Sequence, residues 1–107
     1  MKRKYTAEES ARYKRLALLL PKRAPKGWQS PEGVRYIVSE RGFAQSFTKD
    51  ALRVVFLSAS ESVQISLANV NGEGLTDEDI EKTKLAFFGK QAMEVSEPVF
   101  GVVYFRI

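Results

Sequence analysis

The chain has 107 residues, 44% of them apolar, and twelve aromatic side chains, enough for one domain around one core. It contains no cysteine and no histidine, which excludes Ser–His and Cys–His catalysis and any zinc site built from those ligands. Its net charge of +4 is unevenly held: residues 1–27 carry nine basic side chains against two acidic ones, a net of +7, while the remaining eighty carry a net of −3.

Residues 1–5 read as a basic arm. Thr6 and Glu9 then have the spacing of a capping box, which predicts a helix over residues 7–20. Tyr13, Leu16, Ala17 and Leu20 fall on one face of it, and Pro21 ends it, because a residue before proline is pushed out of helical backbone. The apolar run 16–20 is too short for a secretory leader, and nothing calls for an oxidising compartment, so the expected location is the cytoplasm. No stretch approaches the 18 apolar residues a membrane-spanning helix needs.

Residues 21–33 hold three prolines and two glycines and read as a loop or tether. Trp28 within it is expected to pack onto the domain, since a lone indole in a free linker would expose a large apolar ring. Strands are predicted over residues 34–39, 53–60 and 63–70, the last two close enough to form a hairpin through Glu61 and Ser62. Val63, Ile65 and Leu67 alternate with Gln64, Ser66 and Ala68, as in a strand buried on one face. The continuous run Val54, Val55, Phe56 and Leu57 instead predicts a central strand covered on both faces. Residues 42–51 stay unassigned.

After the turn at Asn71-Gly72-Glu73-Gly74 come strong helix signals. Thr76 is the N-cap, Asp77, Glu78 and Asp79 fill the electropositive first turn, Leu75 is placed to staple onto Ile80, and Gly89 stops the helix. Ile80, Phe87 and Phe88 form its apolar arc, with Leu85 at the edge. Two closing strands, residues 91–96 and 99–106, are predicted to turn through Glu97-Pro98. The second is apolar on both faces, as expected of an internal strand or one covered by a partner.

No phosphate-binding glycine loop is present, because Asn71-Gly72-Glu73-Gly74 lacks the Gly-Lys-Ser/Thr that would follow. The acidic cluster Glu73, Asp77, Glu78, Asp79 and Glu81 reads as charge matched to a helix dipole, and it does not meet the calcium-loop pattern. No catalytic residue, cofactor or metal site is therefore assigned, and the chain is not expected to be an enzyme. The candidate binding residues are Lys2, Arg3, Lys4, Arg12, Arg15, Lys22, Arg23 and Lys26. Such a block neutralises phosphates with salt-sensitive, sequence-independent affinity, or it forms a solvated tail.

From Leu52 onward the features run LRVVFLSAS and VQISLAN as strands, a glycine-rich turn, LTDEDIEKTKLAFFG as a capped helix, then MEVSEPVFGVVYFRI as two strands. This order resembles a small phage-encoded family of unknown function and implies a phage or prophage origin. The chain lacks the histidines and tryptophan frequent around those strands in the family, so the resemblance carries over no functional residue.

Together these readings predict an α+β fold. It has a mixed or antiparallel sheet of about five strands, one helix packed on a face, and a basic N-terminal helix. Residues 1–27 form the basic arm and helix, and residues 28–107 the α+β domain. The expected function is a non-catalytic binding domain of phage or mobile-element type, working in the host cytoplasm, that touches nucleic acid through its basic N-terminus. The alternative is a protein-interaction module, a host-factor inhibitor or a homodimer, using an apolar sheet. No membrane partner is expected.

Overall fold

Alternation of large apolar and polar side chains drives the sheet, and its register sorts them onto two faces. In the computed structural model, which describes residues 7, 8, 11, 15, 16, 18, 20–30, 44–58, 62–91 and 93–106, five antiparallel strands form a single sheet in the order β1-β2-β3-β5-β4. They are β1 (Ala44–Lys49), β2 (Leu52–Ser58), β3 (Val63–Asn69), β4 (Glu94–Val95) and β5 (Val103–Arg106), with helix α1 (Asp77–Phe88) between β3 and β4. The α+β class and the five-stranded sheet agree with expectation, and of the two sheet types the antiparallel one is present.

The core lies on one face of the sheet. Phe47 on β1, Val54 and Phe56 on β2, Ile65 and Leu67 on β3, and Val103 and Phe105 on β5 are buried there. Phe47 faces Val54, Val54 faces Leu67, and Leu67 faces Val103, so the apolar positions line up across four strands. α1 closes this layer. Phe87 and Phe88 lay their rings against Phe47, Phe56 and Phe105 with centroids 5.3 to 6.4 Å apart, the tilted geometry aromatic quadrupoles favour. Thr83 is also buried and turns its hydroxyl back onto the Asp79 carbonyl at 2.7 Å, which satisfies it inside the core.

The caps of α1 follow the local signals. The Thr76 hydroxyl accepts from the Asp79 N–H at 3.0 Å, and the Asp79 carboxylate accepts from the Thr76 N–H at 3.4 Å, a reciprocal capping box. Gly89 sits at φ +62°, and a Cβ built there would meet nothing within 4 Å, so the demand for glycine comes from the backbone alone. Leu75 and Ile80 pack against the core, while Leu85 is half exposed at the arc's edge.

Several expectations are corrected. The unassigned stretch 42–51 contains β1, whereas residues 34–39 lie outside the described residues. β2 is internal but covered on one side: Val54 and Phe56 are buried, while Leu57 is 43% exposed. The closing strands reverse three residues later than Glu97-Pro98, at Phe100-Gly101. Val99 and Val102 exchange both backbone hydrogen bonds, and Phe100 and Gly101 take φ of +51° and +79°, the signature of a type I′ hairpin turn. Glu97-Pro98 fails as the turn because the hairpin ladder runs up to and beyond it, from the Ser96 N–H to the Tyr104 carbonyl and on to the Val99–Val102 pair.

The stretch 21–30 is docked rather than a tether. Gln29 exchanges two 2.8 Å hydrogen bonds with Thr48 on the outer side of β1, and Trp28 is buried with its ring edge-on to Phe87 at 5.0 Å. No continuous N-terminal helix is described. Ala7, Glu8, Ala11, Arg15 and Leu16 have helical backbone, and the rest of that expected helix lies outside the described residues apart from Leu18 and Leu20. Leu16, Leu20 and Ala24 belong to the core beside Trp28.

Besides Thr83, a second polar side chain sits in the core. Gln45 on β1 faces Phe56 and is only 2% exposed, yet among the described residues neither its amide oxygen nor its nitrogen has a hydrogen-bond partner. Leaving both groups desolvated costs about 1–3 kcal/mol each way it is counted. Gln45→Met keeps the shape and removes both polar atoms, so its urea midpoint should rise by the equivalent of about 1–3 kcal/mol. A lowered midpoint would show that the amide is satisfied in solution.

Candidate functional site

The loop 21–28 carries three of the described cations of the basic segment, and its shape follows from where its apolar residues go. Leu20 before it and Trp28 at its end are buried, and Ala24 packs against the core between them. The Trp28 N–H closes a turn onto the Pro25 carbonyl at 2.9 Å, and Gly27 takes φ +86°, a conformation that an L side chain would strain. Between these anchors Lys22, Arg23 and Lys26 are exposed. Their charges are thus presented on a pinned loop.

Arg15, also exposed, precedes this loop on the same segment. Lys2, Arg3, Lys4 and Arg12 lie outside the described residues. The fold adds a cation that sequence reasoning missed. A Cβ on Gly27 would stand 3.8 Å from the Lys49 Nζ, so the last side chain of β1 lies over the loop backbone. No local signal marked Lys49, because its place depends on the Gln29–Thr48 pairing. Asp50, in the turn that follows, is the acidic residue nearest to it along the chain.

Among the described residues Arg15, Lys22, Arg23, Lys26 and Lys49 make no ion pair. The pairs that are described lie on α1, Lys82 to Glu78 at 2.6 Å and Lys84 to Glu81 at 3.2 Å. The Glu78 hydrogen bond, reinforced by its charge, raises Lys82 above its ordinary value of 10.5. Asp77, Glu78 and Asp79 make the first turn of this helix acidic. Among the described residues no three acidic side chains gather closely enough to hold a metal ion.

The outer face of the sheet is a second surface. It presents Ser46 and Thr48 from β1, Arg53, Val55 and Leu57 from β2, Gln64, Ser66 and Ala68 from β3, and Tyr104 and Arg106 from β5. All of these stay at least partly exposed. A groove opens at the end of the sheet beside Gln64, Tyr104 and Arg106, with Phe56 and Phe88 in its wall. Neither Arg53, Tyr104 nor Arg106 was singled out from the sequence, because a strand residue's face is known only once the register is set.

Comparison with family models, with curated proteins and with solved structures returned no match for this chain.

Proposed function

We propose that the chain is a non-catalytic binding domain, of phage or mobile-element type and acting in the host cytoplasm, that contacts nucleic acid without sequence preference through its basic N-terminal segment. The observation that carries this reading is the pinned loop, where Lys22, Arg23 and Lys26 stand exposed and, among the described residues, unpaired, with Lys49 beside them. Cations that make no internal ion pair give up no partner on meeting a phosphate, and they release the counterions condensed on it. Arg15 and, in this proposal, Lys2, Arg3, Lys4 and Arg12 extend the same field.

The test is an electrophoretic shift with random-sequence duplex at low salt, run beside a melting curve. Changing Arg15, Lys22, Arg23 and Lys26 to Gln should abolish the shift and leave the melting temperature nearly unchanged, as exposed substitutions usually do. For the wild-type protein log affinity should fall linearly with log salt, by about 0.9 in slope for every phosphate neutralised. No shift from wild type at roughly micromolar protein would overturn the reading, since non-specific binders act in that range. A lower melting temperature in the variant would instead assign the arginine and lysine stems a packing role.

One observation favours the protein-interaction alternative. Phe100 is fully exposed and Val99 is 53% exposed at the tip of the β4–β5 hairpin. The apolar face of the sheet is taken up by the core, so a protein partner would meet this tip instead. A solution mass above the monomer that returns to it with Phe100→Ser would put this alternative in front.

A further inference from the structure

We infer that the outer face of the sheet is a binding surface for single-stranded nucleic acid, with Tyr104 as a stacking platform and Arg53 and Arg106 as phosphate contacts. This rests on the nucleic-acid reading above and adds to it the class of ligand and a second surface. The register supplies the geometry. Ser46, Val55, Ser66 and Tyr104 form one row across β1, β2, β3 and β5. Thr48, Arg53 and Ala68 form the row on one side of it, and Leu57 and Gln64 the row on the other, which β5 continues with Arg106.

Arg53 and Arg106 therefore stand at diagonal corners, two strands and four residues apart, with the row that ends in Tyr104 running between them. At strand and residue spacings of about 4.8 and 3.4 Å their backbones are roughly 17 Å apart, a distance one strand covers in a few nucleotides. Gln64 and Ser66 supply donors and acceptors in the space between, beside Val55, Leu57 and Ala68.

Charge decides the occupant. On β1, β2, β3 and β5 this face carries two arginines and no carboxylate. The carboxylate facing it, Glu94, lies across from Arg106 on the marginal strand β4. A polyanion complements such a surface, whereas a second copy of the same face would bring four arginines together. A duplex buries its bases in the stack, so a partly exposed tyrosine on this face gains most from unpaired bases.

Fluorescence anisotropy at low salt decides this, using a labelled oligothymidylate of about 15 nucleotides, a size such surfaces accept, and a duplex of equal length. Wild type should bind the single strand more tightly. Tyr104→Thr, which retains a good strand former, should weaken single-strand binding about tenfold and duplex binding by less than about twofold. Arg53→Gln with Arg106→Gln should lower the single-strand salt slope by about 1.4, two contacts at about 0.7 each. The loop variant should weaken both probes alike, and oligouridylate in place of oligothymidylate distinguishes RNA from DNA as the source.

Equal losses on both probes, or none, would overturn the sheet site and leave the loop reading standing. No binding of any probe by wild type would overturn both. A lower melting temperature in Tyr104→Thr would mean that the chain itself covers the face, and a dimer that this variant splits would assign the face to a second copy; either result overturns the proposal.

Discussion

Removal of residues 103–107 is expected to leave a chain that does not fold. β5 lies between β3 and β4, so its loss strips the ladder from Ile65–Leu67 and leaves Glu94–Val95 with nothing to pair with. Val103 and Phe105, which are 0% and 4% exposed, leave the core together, and Phe88 loses the ring stacked 5.6 Å from its own. The uncovered edge of β3 would then offer unpaired N–H and C=O groups to other chains, the usual start of aggregation. Expression of the truncated chain should yield insoluble protein or a random-coil far-UV dichroism. A soluble product with the native spectrum would show that β5 is peripheral and that the sheet does not depend on it.

Phe56→Ala should cost about 3–5 kcal/mol, the range for emptying a buried aromatic site. Its ring is 1% exposed and is shared by Phe47, Phe87 and Phe88, with centroids 5.9 to 6.4 Å away, so the void opens between sheet and helix where neither backbone can collapse to fill it. Against a total stability of about 5–15 kcal/mol for domains in general, that loss takes much or all of the margin. Leu57→Ala next to it is the control. Leu57 is 43% exposed on the outer face, and its truncation should cost well under about 1 kcal/mol. Urea midpoints that move alike for the two variants would mean that β2 is covered on both faces, as its continuous apolar run suggests when read alone.

If the two nucleic-acid surfaces act together, the molecule divides its work by chemistry. The pinned loop with Lys22, Arg23 and Lys26 gives attraction that any polyanion satisfies, and the outer face with Tyr104 gives preference for unpaired bases. The tests differ in kind for this reason: the loop is read in salt dependence common to all probes, the sheet in the ratio between single strand and duplex.

Features that neighbours along the chain can enforce are legible before any fold is known. The Thr76 N-cap, the acidic first turn and the Gly89 stop act within a few residues, so α1 is legible in full. The β2–β3 hairpin is legible too, because the alternation from Val63 to Ala68 sets its buried face and a short loop sets its partner. Trp28 was readable as a packed residue from the size of its ring, though not what it packs against.

β1 was hidden, because AQSFTK has one large apolar side chain and buries a glutamine. Its strand character comes from pairing with β2 along its length and with Gln29 nineteen residues upstream of Thr48. The turn at Phe100-Gly101 was hidden as well. Phenylalanine is a poor local signal for left-handed backbone, and the ladder of flanking strands holds it there instead. The outer face with Arg53, Tyr104 and Arg106, and the approach of Lys49 to the loop, exist only once strands are in register. A one-residue slip would exchange the two faces of a strand, and the choice between registers is made by the buried apolar rows of Phe47, Val54, Leu67 and Val103, which only the tertiary structure brings together.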